Sequence, residues 1–174
     1  GIDTYDYYTR EDFAVKNTVP TAEGALEIAM REYAGTINGS NCLVAGYGRI
    51  GKVLAWMLRG IGAKVTVSAR RTSDLAWVEL FGYQAVKTDD ICDRDQYDLI
   101  FNTIPALVFN RRMLSKAREG TILIDLASAP GGVDYEAAEK LGIRVIKALS
   151  LPGRVAPKAA GEIIKNTIYN IMEE

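Results

Sequence analysis

Cys42-Leu43-Val44-Ala45-Gly46-Tyr47-Gly48-Arg49-Ile50-Gly51-Lys52-Val53-Leu54-Ala55 decides how the rest of the chain is read. Residues 42–45 are a short continuous apolar run, the pattern of a strand covered on both faces. Ile50, Val53, Leu54, Met57, Leu58 and Ile61 then recur at helical spacing. Between the two lies Gly46-x-Gly48-x-x-Gly51. A G-x-G-x-x-G alone is a weak signal. Here it leaves a predicted strand and opens a predicted helix, within a β-α-β unit of about 30 residues, which is the setting the motif requires. Gly46 permits the tight turn, Gly48 has no Cβ to hold a pyrophosphate off the backbone, and Gly51 lets the helix lie close to the strand. The helix start offers free N–H groups and roughly half a positive charge to the phosphates. Tyr47, Arg49 and Ile50 complete the loop. The bland alternative is a turn that only joins strand to helix.

A dinucleotide site places the group that reads the ribose at the end of the second strand, about 20 residues after the glycines. An Asp or Glu there accepts from both hydroxyls of NAD. This chain has Ser68-Ala69-Arg70-Arg71 after Val65-Thr66-Val67. A hydroxyl and two guanidiniums suit a 2′-phosphate. The expectation is therefore NADP ahead of NAD, NAD remaining possible; the competing reading makes Arg70 and Arg71 solvated loop charges.

The same alternation runs outward in both directions. Residues 1–19 are polar and aromatic and read as an irregular lead-in. Pro20 and Thr21 open a helix with apolar positions through Tyr33. Strands are expected at 84–86, 99–102, 121–126 and 144–148. Short helices are expected around Leu75–Phe81, Met113–Ala117 and Tyr135–Leu141, and Ile164, Ile168 and Ile171 mark a final helix. This order predicts an α/β fold, a doubly wound parallel sheet of the Rossmann type, flanked by an N-terminal and a C-terminal helix. The division expected is a lead-in and connecting helix over 1–38, and the nucleotide-binding domain with its closing helix over 39–174. A substrate domain is expected to be absent.

The chain has 174 residues, 48% apolar and 25% charged, the balance of an ordinary globular domain. Lys+Arg is 21 and Asp+Glu is 22, giving net charge -1, which argues against nucleic acid as the main partner. There is no histidine. That removes Ser-His-Asp triads, Cys-His dyads, His-ligated metals and an imidazole base, and no metal is expected. Cys42 and Cys92 form neither a CxxC nor a disulfide framework, so a reducing, cytoplasmic setting is expected. No apolar run of about 18 residues and no signal-peptide pattern is seen, so no membrane partner is expected.

Ligands of open α/β sheets bind beyond the carboxyl ends of the strands. Those ends are Asn102-Thr103-Ile104-Pro105, Asp125-Leu126-Ala127-Ser128 and Leu149-Ser150-Leu151-Pro152-Gly153. Turn chemistry alone is the competing reading for each. Asp125, in an apolar strand, reads as the cap of a neighbouring loop rather than an acid or base.

DFAVKNTVPTAEGA at 12–25, VAGYGRIGKVLA at 44–55, FNTIPALV at 101–108, DLASAPGGVD at 125–134 and LPGRVAPKAAGEII at 151–164 together resemble the family of dipicolinate synthase A subunits of endospore-forming bacteria. More distantly, they are similar to the NAD-binding domains of D-2-hydroxyacid dehydrogenases, alanine dehydrogenases and adenosylhomocysteinases. The resemblance implies oxidation of a dihydrodipicolinate-type intermediate to dipicolinate with NADP or NAD, beside a flavoprotein-like B subunit, in the mother cell of a spore former. It implies a further domain before the first helix. It assigns Gly46 to Gly51 to the pyrophosphate and Ser68 to Arg71 to the ribose end. Asn102 to Pro105, Ala127-Ser128 and Leu151 to Gly153 would face the other half of the cofactor. Homo-oligomerisation is also expected.

Oxidising a dihydropyridine gives an aromatic product, so the protein need only orient the ring and take one proton. No histidine is required, unlike 2-hydroxyacid oxidation. A dicarboxylate substrate calls for cations, and Lys16, Arg154 and Lys158 are the candidates. Glu23 is a candidate base, and Glu23 and Lys158 are the expected catalytic residues. Each also reads as a surface charge. A dehydrogenase for a different acid, and a nucleotide sensor without turnover, are the alternatives.

Overall fold

The computed structural model describes residues 5–93 and 97–174. Residues 1–4 of the lead-in and the side chain of Cys92 lie outside the described residues.

Six strands form one sheet of order β3-β2-β1-β4-β5-β6 among the described residues, and every pairing is parallel. β1 (Asn41–Ala45) leads through α3 (Arg49–Gly60) to β2 (Lys64–Ala69), then through α4 (Thr72–Leu80) to β3 (Gln84–Lys87). A 3-10 turn, Thr88–Asp93, follows β3. The chain then crosses to the other side of β1. There β4 (Leu99–Asn102), α5 (Arg111–Leu114), β5 (Ile122–Asp125), α6 (Tyr135–Lys140) and β6 (Arg144–Lys147) complete the sheet. The reversal of strand order falls between β1 and β4, so their carboxyl ends diverge into a crevice.

β1, β4 and β5 are apolar and almost wholly buried, as strands covered on both faces must be. Cys42, Val44, Leu99, Phe101 and Ile124 pack toward Leu54 and Leu58 of α3. Leu43, Ala45, Ile100 and Leu123 pack the other way, with Phe109, Met113 and Ala138. The two sets alternate along each strand, as the pleat dictates.

The lead-in is more ordered than its composition suggested. Tyr7–Thr9 is a 3-10 turn, α1 spans Glu11–Lys16, and α2 runs Thr18–Glu32, two residues earlier than Pro20 implied. Phe13 anchors α1 by burial, against the edges of Tyr7 and Tyr8. Pro20 sits in the first turn of α2, where its missing N–H had no helical acceptor to lose. A second correction concerns Leu149–Gly153, read as a strand end facing the ligand. It leads into α7 (Leu151–Val155), and α8 starts at Pro157 and runs to Glu173. Leu151 is the reason: it is 2% exposed, and Gly24 of α2 leaves just enough room, since a Cβ there would lie 3.0 Å from the Leu151 Cβ.

α8 returns across α1. Arg10 pairs with Glu174 and Asp12, and Asn170 Nδ2 donates to Asp12 at 3.1 Å. The Arg10 guanidinium, followed by Asn170, holds the Asp12 carboxyl down at about 2.

Candidate functional site

The glycine crook has the geometry its sequence demands. Gly46 adopts φ +101°, a region L side chains rarely enter, and a Cβ there would stand 2.5 Å from the Thr103 hydroxyl. Gly46 N donates to Ser68 O at 3.0 Å, tying the turn to the end of β2. A Cβ on Gly51 would lie 2.1 Å from the Gly46 carbonyl oxygen, so helix and strand approach as closely as backbone allows. A Cβ on Gly48 would meet nothing within 4 Å, because that glycine faces open space.

Two clefts meet over this crook. One, of about 650 Å³, is lined by Gly46, Tyr47, Gly48, Ala69, Arg70, Arg71, Asp74, Thr88, Thr103, Ile104 and Pro105. The other, of about 330 Å³, is lined by Gly48, Arg49, Ile50, Thr103, Pro105, Leu126, Ala127 and Ser128. The shared residues Gly48, Thr103 and Pro105 make them one continuous trough across the carboxyl ends of β2, β1, β4 and β5.

The wall at Asn102–Pro105 is fixed from beneath. Asn102 is buried, and its Nδ2 donates to Asp125 Oδ1 at 2.8 Å and to Ile104 O at 3.2 Å. Its Oδ1 accepts from Ile104 N at 3.1 Å. Asp125 also accepts from Ala127 N at 3.2 Å and the Tyr135 hydroxyl at 2.5 Å. It caps the neighbouring loop, as its setting in an apolar strand suggested. Burial, then the Asp125 hydrogen bond, pushes the Tyr135 phenol well above its ordinary range. Thr103 Oγ1 donates back to Ala45 O at 2.8 Å.

The residues placed at the trough by sequence do not all arrive there. Ser68 is fully buried and lines neither cleft; its carbonyl, not its hydroxyl, serves the site. The hydroxyl is sealed from any phosphate because the residue is still inside the sheet, paired with Ala45 and Val86. Ala69, Arg70 and Arg71 do line the trough. Leu151, Pro152 and Gly153 line neither cleft, since Leu151 is consumed by packing on α2. Glu23 lies on the exposed side of α2, and Lys16, Arg154 and Lys158 are exposed on α1, α7 and α8; none lines the trough. Arg49 pairs with Glu11 of α1 at 2.8 Å. Burial pushes the Cys42 thiol up to about 11, so it is no nucleophile.

Sequence reasoning missed Thr88 and Asp74. Thr88 follows β3 directly, so the rule that sites gather at strand ends could have found it. It is 5% exposed, lines the larger cleft, and its Oγ1 has no hydrogen-bond partner among the described residues. That hydroxyl, like the one on Ser68, is closed off; it is the open approach at Gly48, which a Cβ would fill, that fits a phosphate-bearing ligand. Asp74 stands in the first turn of α4.

Beside the trough, Tyr47, Lys52, Trp56, Trp77, Phe81 and Tyr83 line a groove of about 430 Å³. Trp77 and Phe81 stack with centroids 5.8 Å apart, and Lys52 Nζ lies 5.3 Å from the centre of the Tyr47 ring.

The NAD-binding domain of the D-isomer specific 2-hydroxyacid dehydrogenases matches residues 14–140. The chain belongs to that family. Membership makes it a nicotinamide-dinucleotide-binding domain of dehydrogenase type, in agreement with the trough. Among known proteins, the A subunit of dipicolinate synthase from Bacillus subtilis (strain 168) is 39% identical to it over 168 residues, covering 96% of this chain and 57% of that protein. The crystal structure of that Bacillus subtilis protein superposes with TM-score 0.92 at 39% identity, over 95% of this chain and 56% of its own. Its counterpart from Bacillus halodurans gives TM-score 0.92 at 40% identity, over 96% and 58%. A transhydrogenase from Sinorhizobium meliloti shares the fold, with TM-score 0.79 at 19% identity over 94% of this chain and 55% of that one. The chain thus spans somewhat more than half the length of that Bacillus subtilis protein. No helix among the described residues is long and apolar enough to cross a membrane.

Proposed function

We propose that this chain is the cofactor-binding part of an NADP-dependent dehydrogenase that oxidises a dihydrodipicolinate-type intermediate to dipicolinate, beside a B subunit, in a spore-forming cell. The observation that carries the reading is the pairing of a bare glycine crook with Arg70 on one cleft, directly after the strand end where an NAD-selective site would carry an acid. The similarity to the dipicolinate synthase of Bacillus subtilis supports the choice of substrate.

When bound, the nicotinamide supplies a hydride acceptor. The protein's part is to hold and orient. The N–H groups at the start of α3 would receive the pyrophosphate, with Gly48 leaving the approach open. Arg70 would meet the 2′-phosphate. Thr103, Pro105, Ala127 and Ser128 would flank the nicotinamide ring. Asn102 and Asp125 keep that wall rigid, so no ordering cost falls on the encounter. The substrate surrenders a hydride and a proton as its ring becomes aromatic. With no histidine in the chain, and with Glu23 outside the trough, the proton would go to water or to a group beyond this chain. The exposed cations Lys16, Arg154 and Lys158 would then meet the two substrate carboxylates.

Titration calorimetry with NADPH and NADH tests the cofactor, with tighter NADPH expected and lost in Arg70→Ala. Equal affinities, or tighter NADH, would refute the preference. Turnover of the dihydro substrate by the longer protein tests the reaction. Lys158→Ala with wild-type turnover there would remove that lysine.

A further inference from the structure

The two arginines at the end of β2 are not equivalent. Arg70 has no ion-pair partner among the described residues and is exposed to the cleft. Arg71 is already engaged. Its Nε lies 2.8 Å from Asp74 Oδ2 and its Nη2 3.0 Å from Asp74 Oδ1, a two-pronged fork across the first turn of α4. The Asp74 side chain is mostly buried while that of Arg71 is mostly exposed. The carboxylate is therefore the fixed partner and the guanidinium the movable one. Asp74 also lines the cleft itself. Its negative charge lines the same cleft as Arg70, at the helix start rather than at the strand end where an NAD-selective domain keeps its acid.

We propose that Asp74 sets cofactor selectivity: it holds Arg71 away from the 2′-phosphate and repels that phosphate, so that the chain accepts NAD as well as NADP. This rests on the reading of the trough as a dinucleotide site. The charges explain the effect. A fork-on-carboxylate pair satisfies two of the five guanidinium donors in the geometry a phosphate would otherwise use. A 2′-phosphate must compete for that edge and approach an uncancelled carboxylate, and only Arg70 meets it freely. A ribose hydroxyl carries no charge and suffers neither penalty. Asp74 could also accept from such a hydroxyl, as a strand-end acid does.

Asp74→Asn keeps the shape and removes the charge. It releases Arg71 for the phosphate, so NADPH affinity should rise about ten-fold, the scale of one exposed charge-assisted contact, with NADH unchanged or weaker. In an Arg71→Ala background no guanidinium is left to release, so any NADPH gain from the same substitution there measures the repulsion by the bare Asp74 carboxylate alone. Calorimetric dissociation constants for NADPH and NADH on wild type, both single variants and the double variant measure this. Far-UV circular dichroism confirms that α4 persists. The NADPH/NADH ratio is a readout that mere loosening of the helix would not move in one direction. A ratio within two-fold of wild type in Asp74→Asn, or one tipped toward NADH, overturns the assignment of Asp74 while leaving the dinucleotide site standing. A wild-type chain that binds neither nucleotide overturns both.

Discussion

Gly48 and Gly51 are three residues apart, yet alanine at each should fail in a different way. At Gly51 a methyl would stand 2.1 Å from the Gly46 carbonyl oxygen. The closest ordinary carbon–oxygen approach is about 3.3 Å, so α3 must retreat from the end of β1 by roughly 1 Å. Overpacking of that kind costs about 1–3 kcal/mol. The helix gains back about 0.5–1 kcal/mol from exchanging glycine for alanine. The net loss is about 1 kcal/mol at the middle of these ranges and at most about 2.5, a fall in Tm of about 2–4 °C per kcal/mol for a domain of this size. Because the moved segment is the phosphate crook, NADPH binding should weaken as well. At Gly48 the backbone is extended, with φ -81° and ψ -165°, and the methyl would meet nothing within 4 Å. The fold should hold within about 0.5 kcal/mol, since a weaker helix cap and a less flexible unfolded chain offset each other. The methyl instead fills the space a pyrophosphate needs. Loss of its charge-assisted bonds, about 2 kcal/mol, weakens NADPH about thirty-fold. Urea unfolding and calorimetry on the two variants separate the effects. A Gly51→Ala chain as stable as wild type, or a Gly48→Ala chain that binds NADPH within three-fold of wild type, would show that the close-approach reasoning is wrong.

Asn102→Ala strips the Asp125 carboxylate of a buried donor and frees Ile104; urea unfolding should show a loss of about 2–3 kcal/mol. Tyr135→Phe removes only the 2.5 Å bond to Asp125, so the loss should be about 1 kcal/mol, and a loss below about 0.3 kcal/mol would count against that bond. In the wild type the raised Tyr135 phenol stays protonated where the unfolded chain has ionised. Its stabilisation is intact below pH 10 and declines above it, which alkaline unfolding midpoints of wild type and Tyr135→Phe can compare. Asp12 titrates in the opposite sense: held at about 2 by Arg10, it stabilises the α1–α8 contact above its ordinary value of 3.8 and ceases to as pH falls toward 2. Acid titration of Asp12→Asn should lack that step.

The sheet was legible because its strands are apolar without interruption and its turns carry glycine. Val44, Phe101 and Ile124 need no tertiary knowledge to be placed inside. The crook was legible for the same reason: Gly46, Gly48 and Gly51 each answer a local geometric demand. What local pattern could not reveal was burial imposed from afar. Leu151 precedes the turn-like Pro152-Gly153, and only the meeting with Gly24, far away in sequence, shows it to be core. Ser68 looked like a strand-end hydroxyl, but the sheet extends one residue further and encloses it. Phe13 carries α1 by an anchor no short window registers. Asp74 escaped because its importance lies in what it does to Arg71, a relation between side chains rather than a motif.

Both tryptophans of the chain, Trp56 and Trp77, belong to the groove that Tyr47 shares with the nucleotide trough. That placement gives the protein an intrinsic optical reporter. Indole emission overlaps the absorption of a reduced nicotinamide, so occupancy by NADPH would quench the protein's own light and brighten the ligand's. Substitutions at Gly48, Gly51, Arg70, Asp74 or Asn102 leave both indoles in place, and each such variant can therefore be followed in real time without a label.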